Sequence, residues 1–171
     1  MTCLNYHMDD PVDEIKRLPL NTTHRPINVV LHWHREGMLN LDAPYQRGDV
    51  WGNTRRVNLM RSVLRGIPIP SIIINDRHTA RWIGDDSYAV IDGKQRVTTL
   101  LMFLTNQLPI PGEWLGMNGM VTYDQLPVVK QRKIKMHALA FSEGQLKTIE
   151  EEIEVFELVN YGGVAQGDSD E

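Results

Sequence analysis

Short β-branched runs alternating with amphipathic helical stretches predict an α+β domain, and the chain is long enough for one. Its 171 residues, 42% apolar and 23% charged, suit a globular domain of ordinary size with a sizeable core. The clearest strand signals are IPIPSIIIN (67–75) and YAVI (88–91), both rich in β-favouring residues. No internal repeat or composition break marks a second domain.

The elements follow in order. The first 23 residues are irregular in pattern, with Pro11 and Pro19, and Asn21-Thr22-Thr23 offer capping residues ahead of Pro26. INVVLHWHREG then reads as a short helix ended by Gly37. Pro44 and Gly48 keep residues 38–50 extended or looping. Asn53 is a candidate N-cap for a helix with Val57, Met60, Val63 and Leu64 on its apolar face. Arg55, Arg56, Arg61 and Arg65 are assigned to the opposite face, and Gly66 stops the helix.

The strand at 72–75 comes next, then a polar turn at Gly84-Asp85-Asp86-Ser87, then the strand YAVI. VTTLLMFLTNQ reads as a helix and residues 109–122 as loop, with two prolines and three glycines. A short helix is expected over 123–134 despite Pro127, a strand over 135–141, and an acidic helix over 145–159. Asn160-Tyr161-Gly162-Gly163 is a good helix stop, and the tail AQGDSDE reads as disordered.

Several function classes fall away on composition. No apolar run approaches the roughly 18 residues that a membrane span needs. The N-terminal MTCLNYHMDDPVDE is acidic where a leader would be basic, so a cytoplasmic address is expected. Cys3 is the only cysteine, which excludes an internal disulfide or a cysteine-based zinc site. His32 and His34 stand two apart, a poor spacing for a shared metal on a helix.

The net charge of −4 hides an asymmetry. Residues 47–65 hold five arginines against Asp49, whereas 143–171 hold nine acids against Lys147. The whole surface is thus not expected to bind DNA nonspecifically, but a local anion site is allowed.

Three segments can carry chemistry. The first is Asp92-Gly93-Lys94-Gln95-Arg96, between a strand and a helix. It brings a glycine turn and two cations to a helix N-terminus, where free N–H groups and the helix dipole favour an anion such as phosphate. Asp92 beside it can hold Mg²⁺ or position a water. The same pattern equally describes a turn with Lys94 and Arg96 solvated. It is not a Walker A loop, because the required glycine–lysine spacing is absent.

The second segment is PYQRGDVW (44–51), in which Gln46-Arg47 can meet a phosphate while Tyr45 and Trp51 read as core anchors. The third is FELVNYGG (156–163). A helix C-cap explains it structurally, and Asn160 is a lesser candidate for ligand contact. The Glu150–Glu152 run reads as a solvated helix face.

The order APYQRGDVW, helix, IPIPSIII, AVIDGKQRVTTL, FELVNYGGV spans about residues 27–166. It resembles the N-terminal domain of GmrSD-type modification-dependent restriction enzymes. The resemblance implies a compact ParB/sulfiredoxin-like fold, a small mixed sheet surrounded by helices. It also implies a division into an N-terminal extension (1–26), a nucleotide-binding domain (27–166) and an acidic tail (167–171). The sulfiredoxin catalytic cysteine would fall at Lys94, so cysteine-based sulfinic acid reduction is excluded. The arginine pair of ParB becomes Gln95-Arg96, which leaves the base preference open. The family's usual motif has a glutamine where Lys94 stands.

By the same resemblance the chain binds a nucleoside triphosphate with Mg²⁺ and hydrolyses it slowly. Arg96 and Lys94 would hold phosphates at the helix start beside Gly93, and Arg47 would reach them from the opposite wall. Asp92 would organise metal or water, with Gln46 and Gln95 as further catalytic candidates. Asn160, Gly162 and Gly163 would close the pocket. The chain ends eight residues after Gly163, so no HNH-type nuclease is expected.

An alternative reading is a non-catalytic DNA-associated or protein-interaction module, as a homodimer or with a protein partner, with Arg55, Arg56, Arg61 and Arg65 on DNA. A ParB-like nuclease ranks third, for want of clustered carboxylates or histidines. The family's distribution makes a role in phage defence or anti-defence an expectation.

Overall fold

The computed structural model describes residues 17–46, 48–78, 82 and 87–161. A five-stranded mixed sheet forms its centre. The strands are β1 (Leu20–Pro26), β2 (Leu39–Asn40), β3 (Ile72–Asp76), β4 (Tyr88–Asp92) and β7 (Ala138–Gly144), in the order β1-β7-β3-β4-β2. β1 runs antiparallel to β7, β7 parallel to β3, β3 antiparallel to β4, and β4 parallel to β2. Two further short strands, β5 (Ile110–Pro111) and β6 (Met120–Val121), pair as a separate hairpin.

The helices are α1 (Ile27–Arg35), α2 (Asn53–Leu64), α3 (Lys94–Leu104), α4 (Val128–Lys135) and α5 (Ile149–Tyr161). Alternation along the strands sorts them onto the two faces of the sheet. Ile72, Ile74 and Val90 face a large core built with Ile27, Met60, Leu100 and Phe103 of the first three helices. Ile73 and Ile91 face the other way, onto Val155 and Phe156 of α5 and onto Leu146. The fold is therefore a mixed α+β arrangement, with helices on both sides of a small sheet. No helix among the described residues is long and apolar enough to cross a membrane.

Several local expectations need correction. Leu20–Pro26 is a strand, not an irregular lead-in, and Asn21-Thr22-Thr23 are paired residues rather than caps. α1 starts directly after Pro26 with no side-chain cap. The sheet thus begins before residue 27. Threonines suit a strand, but the partner that makes β1 one, β7, lies more than a hundred residues away.

Residues 109–122 are not simple loop, since Gly112–Leu115 forms a 3₁₀ turn inside the β5–β6 hairpin. Pro127 splits the expected helix into a 3₁₀ turn at Tyr123–Gln125 and α4, because its ring cannot continue a helix. The strand expected at 135–141 lies at Ala138–Gly144, and Gly52 rather than Asn53 stands at the N-cap of α2. Cys3, the Gly84–Asp86 turn and the tail lie outside the described residues.

Candidate functional site

The turn from β4 into α3 is built around Gly93, which sits at φ +97°, a left-handed conformation that glycine adopts without steric cost. A Cβ placed there would lie 3.0 Å from Arg96 Nη2 and 3.3 Å from Ile72 Cγ1. The bare turn thereby lets the Arg96 guanidinium fold back over the helix start. There Arg96 Nη2 donates to Asp92 Oδ2 (2.7 Å) and to the Ser71 carbonyl (3.1 Å). Its Nε is buried and has no hydrogen-bond partner among the described residues. No side chain caps the first turn of α3.

The other motif residues gather around this turn. Lys94 Nζ reaches Asp42 Oδ1 at 3.2 Å, and that carboxylate is almost fully exposed, so the pair holds Lys94 weakly. Gln95 clamps the preceding loop: its Nε2 donates to the Gly48 carbonyl (3.1 Å), and its Oε1 accepts from Trp51 N (3.4 Å). Gln46 Nε2 donates to the carbonyls of Val90 (2.5 Å) and Ile91 (2.7 Å), leaving Oε1 as the end of its amide not spent on β4.

These side chains line a cleft of about 260 Å³, with Trp51, Arg55 and Phe156 opposite the polar turn and Asn160 at the end of α5. The Arg55 guanidinium lies 4.6 Å from the Trp51 ring centre. Asn160 Nδ2 donates back to the Phe156 carbonyl at 2.8 Å. The structure thus brings Gln46, Asp92, Gly93, Lys94, Gln95, Arg96 and Asn160 to one cleft. Arg47, Gly162 and Gly163 lie outside the described residues.

Sequence reasoning missed what holds the cleft's outer wall. Glu152 is completely buried, not part of a solvated face. Arg77 donates to it twice, from Nε (2.8 Å) and Nη2 (2.6 Å), and Asn75 Nδ2 (2.8 Å) and the Tyr45 hydroxyl (2.8 Å) donate as well. Four donors on one carboxylate meet the requirement for a buried charge. Burial, then the Glu152 charge, push the Tyr45 hydroxyl well above the usual tyrosine range and keep it a donor. Tyr45 precedes Gln46, and its ring lies 5.4 Å from that of Phe156, so the network ties the loop and α5 to β3. The signal was present in the sequence: Glu152, Phe156 and Asn160 are spaced four apart on one helix face.

The arginine face of α2 also needs correction. Arg56 is buried, pairs with Asp49, and donates from Nε to the Trp51 carbonyl (3.1 Å). It props the cleft's loop from inside and presents nothing to solvent. Arg55 belongs to the cleft, whereas Arg61 and Arg65 line a cavity beside Trp114 at the far end of the helix. The four arginines do not form one surface.

Residues 31–171 match the family model of the GmrSD restriction endonuclease, N-terminal domain. No curated protein sequence matches the chain. Among solved structures, the chain is similar to the C-terminally truncated chromosome-partitioning protein ParB from Caulobacter crescentus complexed with CTP-gamma-S. The TM-score is 0.43 at 10% identity, over 85% of this chain and 55% of that one. The chain thus spans just over half the length of that ParB chain.

Proposed function

The chain belongs to the GmrSD restriction endonuclease N-terminal domain family, and from that premise we propose that it binds a nucleoside triphosphate at the turn between β4 and α3. The observation that carries this reading is the buried, unpartnered Nε of Arg96 beside the uncapped start of α3. An orphaned buried donor costs about 1–3 kcal/mol, and an anion seated at the helix start would relieve it. Lys94 adds a second cation, freed from Asp42 at little cost, and Trp51 with Phe156 offers apolar surface to a base or sugar.

Mg²⁺ fits this turn in part. Asp92 Oδ2 is held by Arg96, which leaves Oδ1 as the protein oxygen for a metal. One carboxylate plus phosphate oxygens is an ordinary Mg²⁺ arrangement, and the metal would supply charge neutralisation to the phosphates. The roles divide accordingly. Arg96 and Lys94 bind phosphate, Gln95 and Arg56 hold the loop, and Gln46 Oε1 can accept from a water or the ligand. Hydrolysis would use that water as nucleophile, with Asp92 or Gln46 orienting it. Arg47, Gly162 and Gly163 are further candidates for the pocket.

Isothermal titration of ATP, GTP, CTP and UTP with Mg²⁺ tests the site, using wild type, Arg96→Ala and Lys94→Ala. Binding of at least one triphosphate is expected, abolished in the first variant and weakened about tenfold in the second, a loss of about 1.4 kcal/mol. Thermal melting checks that both variants fold. A folded wild type that binds no triphosphate sinks the proposal, and a phosphate-release assay separates an enzyme from a switch.

A further inference from the structure

On the face of the molecule formed by the C-terminal end of α2, Leu115 and α4 lies a groove of about 500 Å³. Arg65 stands on one wall and Lys130 and Lys133 on the other, over an apolar floor of Val63, Leu64 and Ile134. Ile67 and Met136, each next in sequence to a lining residue, are exposed and carry apolar surface to its rim. A smaller cavity continues it past the shared Leu64, Arg65 and Leu115 to Arg61 and Trp114. Among the described residues, no acid lines either cavity.

The cations of this groove are uncommitted. Arg25, Arg56, Arg77, Lys94 and Arg96 each hold a carboxylate. Among the described residues, no ion pair holds Arg61, Arg65 or Lys133, and Lys130 Nζ donates to the Leu115 carbonyl. In a protein of net charge −4, free cations on two converging walls keep a local positive potential where an acidic partner meets it.

We propose that the groove is the docking site for an amphipathic α-helix of a partner protein, one whose apolar stripe is flanked by carboxylates. The floor takes the stripe, and Arg65 and Lys133 pair with acids along its two edges. Their aliphatic stems lie along the helix while the charged heads reach the carboxylates. A wholly polar anion would leave the floor in water, and a wholly apolar helix would bury the cations unpaired. The chain's own α5 has a fitting composition but is not free to dock. Val155 and Phe156 are packed against the sheet, so a second copy cannot present them. The groove is separate from the cleft at the α3 start and does not depend on nucleotide binding there.

Fluorescence anisotropy of the full chain tests the proposal, with a fluorescein-labelled peptide copying residues 145–161 as the probe. Outside the fold, this sequence carries Leu146, Ile149, Ile153 and Phe156 at helical spacing, with five glutamates against one lysine. Binding is expected with a Kd on the order of 1–100 µM. Two altered peptides separate charge from stripe. One carries Ile149→Ser, Ile153→Ser and Phe156→Ser, and the other has glutamine in place of every glutamate. Each should bind at least about tenfold more weakly. In the protein, Arg65→Glu with Lys133→Glu should also weaken binding at least about tenfold. Arg35→Glu with Lys147→Glu changes net charge equally outside the groove, and should leave binding within about twofold of wild type.

Circular dichroism melts check that both double variants remain folded. Equal weakening by the two pairs overturns the proposal, since net charge alone would then explain binding. Binding that survives Arg65→Glu with Lys133→Glu overturns it too, because the peptide would then sit elsewhere. So does full affinity of the serine peptide, which would leave the floor without a role. Absence of peptide binding at about 50 mM salt is equally fatal. Tighter, groove-dependent binding of a labelled single strand of about 20 nucleotides would also overturn it, in favour of a polyanion.

Discussion

The cleft at the start of α3 and the groove between α2 and α4 are both rich in cations, yet the cations are held differently. Around the cleft, Arg96 is tied to Asp92, Arg56 to Asp49 and Arg77 to Glu152, with little of these three guanidiniums exposed, while Arg55 lies over Trp51 and Lys94 is only loosely held. In the groove Arg65 and Lys133 are exposed and hold no carboxylate among the described residues. A tied cation shapes the backbone around it and can be removed only at a cost to the fold. A free one costs the fold little and acts on whatever approaches.

Substitutions put that contrast to the test. The largest effect is expected at the most deeply tied group. Glu152→Ala would leave the Arg77 guanidinium buried without its main partner, so unfolding in urea should show a loss of about 3–5 kcal/mol. A loss under about 1 kcal/mol would mean that the network is ornamental.

Gly93→Ala comes next. Its left-handed φ costs an L-residue about 1–2 kcal/mol, and the new methyl would stand 3.0 Å from Arg96 Nη2. The same denaturation measurement reads the stability, and titration with a triphosphate reads the displaced guanidinium as lost affinity.

The Arg25–Glu143 pair is an intermediate case at the sheet edge, where Arg25 Nη2 donates to Glu143 Oε2 at 2.7 Å. The hydrogen bond from Arg25 holds the Glu143 carboxyl below its usual value of 4.5. Its contribution is therefore present above pH 4.5 and is lost as pH falls through the lowered folded value. Glu143→Gln should flatten that acid limb in a series of melts from pH 3 to 7. At the small end, Arg65→Ala with Lys133→Ala should shift stability by no more than about 0.5 kcal/mol. A larger loss would put the groove in the tied class after all.

Much of this was legible in the sequence where the signal is local. α1, α2, β3, β4 and α3 follow from apolar spacing and from Gly37 and Gly66 as stops, and DGKQR marked the turn that opens α3. β1 was not legible, because its seven residues become a strand only through pairing with β7. Two buried charges were misread for a common reason. Arg56 shares a helical stripe with Met60 and Val63, and Glu152 shares one with Val155 and Phe156. Sorting residues by charge sent both to solvent, whereas their helical phase had already turned them inward.

α5 can finally be regarded as a beam. It is fastened from Glu152 to Phe156, where Val155 and Phe156 pack against Ile91 and Ile73 of the sheet, and it reaches the cleft at Asn160, four residues or about 6 Å further along. A rod deflects most beyond its last support. The Asn160 side of the cleft is thus the compliant jaw and the β4–α3 turn the anvil. A guest that pushes the jaws apart works against the bending stiffness of about one helical turn, while the clamp at Glu152 stays shut.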